Sequence, residues 1–160
     1  MGIQLFKHNE EAYKAVVTML EEEGKAAVIH PTGTGKSLIA FKLACDYPSN
    51  HFLWLSPSEY IYKTQLENLG MEFPNIQYLS YSRLMKSEDS VEDLQPDYII
   101  LDEFHRCGAR EWGRSVRKLL HTYPEAKLLG LSATNIRYLD NQRNMAEELF
   151  DGNVASEMTL

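Results

Sequence analysis

This 160-residue sequence has few cysteines, no long apolar run and no excess of positive charge. Its two cysteines, Cys45 and Cys107, form no CxxC pair, and its five histidines are scattered. This pattern predicts reduced, structural thiols and argues against a disulfide framework or a zinc site. No apolar run approaches the roughly 20 residues that a membrane-spanning helix needs, and residues 1–9 lack the pattern of a secretory signal. We therefore expect a cytoplasmic protein that does not contact a membrane.

The net charge of −7 is the opposite of what a domain needs to bind nucleic acid through bulk charge. Any contact with nucleic acid must therefore come from a local patch or from another part of the protein. The hydrophobic content of 44% and the charged content of 24% are ordinary for a globular domain. Together with the length, they predict a single domain over residues 1–160.

Short apolar runs alternate with helical periodicity along the chain, without an internal repeat. The predicted strands are 26–29, 51–55, 76–80, 98–101 and 126–131. The predicted helices follow Asn9 up to Gly24 and then cover 36–45, 60–69, 82–86, 109–123 and 141–149. This alternation predicts an α/β fold, with a doubly wound and mainly parallel sheet that carries helices on both faces. Ligands of such sheets bind at the carboxyl ends of the strands.

A glycine-rich segment, HPTGTGKS at residues 30–37, joins the first predicted strand to a helix. Glycines let backbone N–H groups turn toward phosphate oxygens, and the helix N-terminus favours anions. Lys36 is placed to reach the β- and γ-phosphates, and the Ser37 hydroxyl to hold Mg²⁺. His30 stands where the strict phosphate-loop pattern has glycine, so a fortuitous turn is the alternative. The position between strand and helix favours nucleotide binding by Thr32, Gly33, Thr34, Gly35, Lys36 and Ser37.

Two adjacent carboxylates, Asp102 and Glu103, directly follow the apolar run 98–101. A hydrophobic strand that delivers a carboxylate to its carboxyl end is typical of a nucleotidase that binds Mg²⁺. Asp102 is predicted to bind the metal, and Glu103 to orient or deprotonate the attacking water. The alternative is that the two residues are surface acids in a loop. The phosphate loop argues against this alternative, because the loop would bind the phosphates and the acidic pair would bind the metal.

Three motifs of this sequence resemble motifs I, II and III of superfamily 2 helicases. They are residues 31–37 (PTGTGKS), 102–105 (DEFH) and 132–134 (SAT). Their order and spacing are similar to the first of two RecA-like domains, and the resemblance covers nearly the whole chain. Within that superfamily, the sequence most resembles the motor subunits of type III restriction enzymes. Asn135 departs from their extended motif III, which usually has proline at this position.

The resemblance implies an ATP- and Mg²⁺-dependent hydrolase that moves along nucleic acid, DNA in preference to RNA. It also implies a second RecA-like domain that supplies arginine fingers, so these 160 residues alone are expected to hydrolyse ATP weakly. It assigns the coupling of nucleotide state to nucleic-acid binding to His105, Ser132 and Thr134. It assigns nucleic-acid contacts to Ser56, Pro57, Tyr81, Ser82 and Arg83.

Several alternatives stay open at this stage. Asn9 is either a helix cap or the counterpart of the glutamine with which many relatives read adenine. His105 is either a coupling residue or a structural histidine. The basic residues Arg106, Arg110, Arg114, Arg117 and Lys118 form either a solvated helix face or a contact with nucleic acid or a partner domain. The two tryptophans, Trp54 and Trp112, are expected in the core or at an interface. Beside a motor, we consider a nucleotide-gated binding module, a small-molecule kinase and a purely structural domain.

Overall fold

The computed structural model describes residues 3–133, 136–137 and 143–158. Within these ranges the chain forms six α-helices: α1 (Lys7–Glu23), α2 (Lys36–Asp46), α3 (Glu59–Leu69), α4 (Tyr81–Lys86), α5 (Arg110–Thr122) and α6 (Met145–Phe150). The described residues also form eight strands: β1 (Lys25–Ile29), β2 (Phe52–Ser56), β3 (Ile76–Ser80), β4 (Tyr98–Asp102), β5 (Lys127–Ser132), β6 (Ile136–Arg137), β7 (Arg143–Asn144) and β8 (Val154–Glu157). Two 3₁₀ helices cover Glu88–Asp93 and Phe104–Gly108.

The central sheet has six strands in the order β3-β2-β4-β5-β1-β8, and every pairing is parallel. Strands β2 and β4 are buried along their whole length, which explains their continuous apolar sequences. The buried residues of α1, α2 and α3 form one hydrophobic core, and those of α4, α5 and α6 form another. Helices therefore cover both faces of the sheet, which confirms the predicted α/β doubly wound architecture.

The five predicted strands and the first five helices are present, with ends that differ by a few residues. Strand β8 was not predicted, and it extends the sheet beyond β1. The last helix was predicted too early: Arg143 and Asn144 belong to β7, and α6 begins at Met145. The side chain of Asn144 accepts hydrogen bonds from the first turn of α6, so it is the N-cap. Predicted helix residues 141 and 142 lie outside the described residues.

The first helix begins before the position expected from the sequence. Its N-cap is Phe6, and Asn9 lies inside the helix with a fully buried side chain. Of the two alternatives for Asn9, the helix cap is therefore excluded. Among the described residues, every helix falls short of the length and apolar character needed to cross a bilayer.

Candidate nucleotide-binding site

A cleft of about 790 Å³ opens at the carboxyl ends of β1, β2 and β4. The loop after β1 lines one side, the segment that follows β2 lines another, and the end of β4 supplies the carboxylates. Lys36 and Asp102 face this same cleft. The described residues that line it are Phe6, Thr32, Gly33, Gly35, Lys36, Ser37, Ser56, Pro57, Ser58, Ile61, Gln65, Asp102, Glu103 and Arg106.

The phosphate loop takes its shape from two glycines in the left-handed conformation, Gly33 (φ 86°) and Gly35 (φ 76°). Residues with a Cβ adopt this conformation only at a cost. Helix α2 begins at Lys36, immediately after Gly35, so the N-terminal end of the helix, which favours anions, lies at the wall of the cleft. Of the six residues predicted to bind nucleotide, Thr34 does not line the cleft. Its hydroxyl donates to the carbonyl of Pro31 at 2.7 Å and braces the loop from within.

The start of α1 supports the phosphate loop from outside. Asn9 Nδ2 donates to the carbonyls of Thr34 (2.9 Å) and Gly35 (3.2 Å), and His8 Nε2 lies 2.9 Å from the Thr34 carbonyl. The ring of Phe6 packs so closely against Gly35 that a Cβ there would lie 2.9 Å from it. Asn9 thus anchors the loop through its amide nitrogen, which commits that group to the protein backbone.

His30, which replaces the first glycine of the phosphate-loop pattern, is buried and tied to the edge of the sheet. Its Nε2 lies 2.8 Å from the hydroxyl of Ser156 on β8, and its backbone N–H donates to the carbonyl of Ser132 at 3.1 Å. Burial lowers the pKa of His30, and the neighbouring His8 and Lys36 lower it further. The neutral imidazole therefore serves as a bridge between the phosphate loop and the unpredicted strand.

The two carboxylates after β4 occupy different environments. Asp102 is only 7% exposed, and its pKa is raised to about 7, first by burial and then by the charge of Glu103, while Lys36 opposes the rise. Glu103 is half-buried and adopts a left-handed backbone (φ 56°), a conformation that costs on the order of 1–3 kcal/mol in a residue with a side chain. This strained turn directs two adjacent carboxylates toward the cleft.

The oxygen groups around the cleft suit a magnesium ion. The Ser37 hydroxyl and the Asp102 carboxylate line the same space, and Mg²⁺ prefers oxygen ligands. A divalent cation would also relieve the burial of the Asp102 charge, which the raised pKa reports. The described residues include no cluster of three or more His, Cys, Asp or Glu side chains that could enclose a metal. Such a site would therefore depend on a bound phosphate and water for its other ligands.

His105 connects the acidic motif to the end of β5. Its Nδ1 lies 2.7 Å from the hydroxyl of Ser132, and its Nε2 lies 3.6 Å from a carboxylate oxygen of Glu103. The imidazole is thus placed between a residue beside the cleft and the last residue of a neighbouring strand. Thr134, the third residue predicted to take part in coupling, lies outside the described residues.

The five residues predicted to contact nucleic acid differ in their exposure to solvent and in their position relative to the cleft. Ser56 is 3% exposed, with its hydroxyl 2.6 Å from that of Tyr78, and Pro57 lines the nucleotide cleft. Tyr81 is fully buried and does not present its side chain to a ligand on the surface. The prediction of direct nucleic-acid contact by the Tyr81 side chain therefore does not fit its burial. Ser82 is half-buried, and Arg83 is exposed on α4.

The basic residues that follow the acidic motif have different surroundings. Arg117 pairs with Glu148 at 2.9 Å, and the guanidinium of Arg106 lies 5.7 Å from the ring centre of Trp112. Arg110 and Arg114 are exposed on the solvent face of α5. Of the two tryptophans, Trp54 is in the core, where it stacks on Phe41. Trp112 is half-buried at the contact between α4 and α5.

Sequence reasoning missed five residues of the cleft wall: Phe6, Ser58, Ile61, Gln65 and Arg106. Phe6 and Ile61 are both large apolar residues that remain more than half exposed. Phe6 is the N-cap of α1 and Ile61 lies in the first turn of α3, and neither position carries a local sequence pattern that distinguishes it from a core residue. Arg106 was named only as one of the basic residues after the acidic motif, without a place in the nucleotide cleft.

A phosphate loop at the end of one strand and an acidic pair at the end of another are the defining features of a P-loop NTPase. The sequence matches the family model described as "Type III restriction enzyme, res subunit" over residues 2–78 and 71–137. The chain therefore belongs to this family, and it is a helicase-type ATPase domain of superfamily 2. No match is found among the curated proteins.

Solved structures with similar folds support the RecA-like α/β architecture. The SWI2/SNF2 ATPase core of Sulfolobus solfataricus, in complex with double-stranded DNA, aligns with a TM-score of 0.71 at 14% identity, over 92% of this chain and 36% of that one. The DUF1998 helicase MrfA, bound to DNA and AMPPNP, aligns with a TM-score of 0.63 at 13% identity, over 99% and 30%. The replication initiator DnaA, bound to AMPPCP and single-stranded DNA, aligns with a TM-score of 0.60 at 15% identity, over 99% and 49%. The chain thus spans about a third to a half of the length of these proteins.

Proposed function

We propose that this chain binds ATP and Mg²⁺ and that, together with a second RecA-like domain, it couples ATP hydrolysis to movement along nucleic acid, DNA in preference to RNA. One observation carries the proposal: Lys36 and Asp102, which come from different strand ends, line the same cleft. In a phosphoryl-transfer enzyme, one group holds the phosphates and the other holds the metal. A structure with Lys36 and Asp102 on opposite faces of the sheet would have argued against an NTPase.

Each residue has a role that its position supports. Lys36 and the backbone N–H groups of the loop hold the β- and γ-phosphates. Ser37 and Asp102 hold Mg²⁺, which neutralises charge on the phosphates. Glu103 orients the attacking water and accepts its proton. Catalysis then consists of positioning and electrostatic stabilisation around the γ-phosphoryl group.

Coupling to nucleic acid would use the groups beyond the acidic pair. His105 and Ser132 link Glu103 to the end of β5, and Thr134 would continue this link. Ser82 and Arg83 offer a hydroxyl and an exposed guanidinium for phosphates on the nucleic acid. DNA is the preferred track because the SWI2/SNF2 and MrfA structures with this fold hold DNA.

A second RecA-like domain is needed for efficient turnover. Arg106 is the one arginine among the described residues that line the cleft, and it is held over Trp112. Arginine fingers on a partner domain contribute roughly 10³ to 10⁵ in rate. We therefore expect the 160-residue chain alone to bind nucleotide weakly and to hydrolyse it slowly.

ATP hydrolysis by the full-length protein tests the nucleotide site. Lys36→Ala should abolish nucleic-acid-stimulated hydrolysis. Lys42→Ala is the matched control, because Lys42 lies on the same helix but pairs with Asp46 at 3.5 Å, outside the cleft wall. Equal activity of the two variants would refute the assignment of the cleft. Robust turnover by the 160 residues alone, abolished by Lys36→Ala, would refute only the need for a second domain.

A nucleotide-gated nucleic-acid-binding module is the second candidate, because the same cleft could control binding without movement. Strand displacement and triplex displacement by the full-length protein separate the two. A motor displaces the strand in an ATP-dependent manner on DNA and less on RNA. A module changes its affinity for nucleic acid with nucleotide but displaces nothing.

A further inference from the structure

Tyr81 is the first residue of α4, and its side chain is fully buried rather than directed toward solvent. Its hydroxyl donates a hydrogen bond to the backbone carbonyl of Asp102 at 2.8 Å. Its ring stacks on Trp112, with the centres 5.3 Å apart and the planes at 28°. A buried tyrosine needs a partner for its hydroxyl, and here that partner is the backbone of the candidate magnesium ligand.

The bond spans the sheet instead of joining neighbouring strands. Tyr81 follows β3, Asp102 ends β4, and β2 lies between them. Two strand spacings amount to about 10 Å, so a long side chain is required to connect these strand ends. The pairing of β2 with β4 ends at Leu101, immediately before the carbonyl that Tyr81 contacts. On the β5 side Asp102 is still paired with Leu131, so the hydroxyl holds Asp102 on the β2 side, where the ladder has ended.

The other end of this connection is the helix that offers groups to nucleic acid. Ser82 and Arg83 follow Tyr81 directly on α4, and Arg83 is exposed. The Ser80 side chain caps the helix by accepting a hydrogen bond from the Arg83 N–H at 3.1 Å. The cap and the buried ring both anchor the N-terminal turn of this short helix. A displacement of α4 by a bound phosphate would therefore move the Tyr81 hydroxyl and the carbonyl of Asp102 with it.

We propose that Tyr81 is a positioning residue that couples nucleic-acid binding at α4 to the placement of the Asp102 carboxylate in the nucleotide cleft. The inference rests on the proposed function, since it requires both ligands. Coupling between two sites is reciprocal: nucleic acid strengthens binding of Mg²⁺–nucleotide by the same factor as the reverse. Tyr81 contacts neither ligand and acts only through the backbone of Asp102.

Tyr81→Phe tests this role, because phenylalanine keeps the ring on Trp112 and removes only the hydroxyl. The matched control is Tyr123→Phe, which also removes a hydrogen bond from a tyrosine hydroxyl to a backbone carbonyl, that of Val91, away from the cleft. In the full-length protein, binding of AMPPNP with Mg²⁺ is measured with and without a fluorescent DNA duplex that carries a single-stranded overhang. Tyr81→Phe should reduce the coupling factor by about 2- to 10-fold, while affinity for each ligand alone changes little. Tyr123→Phe should leave the coupling factor unchanged.

Other outcomes separate the inference from the function on which it rests. If the wild-type protein couples the two ligands and Tyr81→Phe couples them equally well, Tyr81 is only a core residue and the inference fails alone. If the wild-type protein fails to bind the DNA, the proposed function fails and the inference fails with it. If Arg83→Ala binds the DNA as tightly as the wild-type protein, the nucleic acid does not bind at α4 and the inference fails alone. A second measurement needs no variant: DNA without nucleotide should change the hydrogen exchange of the Asp102 and Glu103 amides. Unchanged exchange at both amides in a DNA-bound protein would overturn the inference.

Discussion

Replacement of Asp102 by asparagine should stabilise the metal-free protein at neutral pH while it removes binding of Mg²⁺–nucleotide. The pKa of this buried carboxyl is raised from 3.8 to about 7. A tenfold change in a proton-binding constant corresponds to about 1.4 kcal/mol, so the rise corresponds to about 4 kcal/mol. This is the upper limit of the free energy that ionised Asp102 removes from folding stability when no metal is bound.

The pH dependence has a definite sign. Below pH 3.8 the carboxyl is protonated in both the folded and the unfolded chain, so its contribution is at its most favourable. As the pH rises from 3.8 to about 7, the unfolded chain releases the proton first, and stability falls. Above pH 7 the loss is complete. Asparagine cannot titrate, so the stability of the variant relative to the wild-type protein should increase across this pH range and stay constant above it.

Urea denaturation in EDTA at a series of pH values between 4 and 8 measures the effect. We expect the difference in the free energy of unfolding to grow with pH in favour of Asp102→Asn and to reach between about 1 and 4 kcal/mol at pH 8. Asp93→Asn, at an exposed position outside the cleft wall, is the control and should show no such trend. A wild-type protein that is as stable as the variant at pH 8 without metal would refute the burial argument for Asp102.

Three glycine substitutions and the removal of one ion pair test the packing of the phosphate loop and of the core. Gly35→Ala should lower the free energy of unfolding by roughly 1 kcal/mol more than Gly33→Ala does. Both glycines are left-handed, but only at Gly35 would the new Cβ meet the ring of Phe6, at 2.9 Å. Thermal unfolding without nucleotide compares the two variants, and equal losses of stability would contradict the contact with Phe6. Gly130→Ala should lower the free energy of unfolding by about 1–3 kcal/mol, because the added Cβ overlaps buried phenyl rings on the sheet face; urea denaturation with no measurable loss would refute this packing. Loss of the Arg117 guanidinium in Arg117→Ala should raise the pKa of Glu148, now lowered chiefly by Arg143, as followed by NMR titration; an unchanged pKa would exclude a contribution from Arg117.

The elements that could be predicted are those whose local sequence is unambiguous. Continuous apolar runs gave β1, β2, β4 and β5, because a strand buried on both faces has few polar positions, whereas the edge strand β3 is only half-buried and contains Gln77. Gly24 and Gly70 ended two helices as predicted, since each adopts the left-handed conformation that favours glycine. The last helix was placed too early because Asn141 and Asn144 are both plausible caps, and only Asn144 has Glu147 in position to support it.

Strand β8 was missed because it carries little local signal. Its sequence, VASE, is short and only half-buried, and what makes it a strand is its parallel pairing with β1 at the edge of the sheet. The role of His30 was hidden for the same reason, since its partner Ser156 is 126 residues away in the sequence. A contact over such a distance depends on how the chain folds back and leaves no periodic trace in either segment.

The sequence by itself determined the two local geometries on which the candidate chemistry depends. Glycines in the left-handed conformation shape the phosphate loop before α2, and an apolar strand ends in Asp102 and Glu103. Both follow from backbone conformation and short-range patterning. Only the tertiary structure decided that Asn9 braces the loop, that Tyr81 turns inward to the Asp102 backbone, and that burial raises the pKa of Asp102. The physical reason is that burial and electrostatic interactions depend on distances between segments that are remote along the chain.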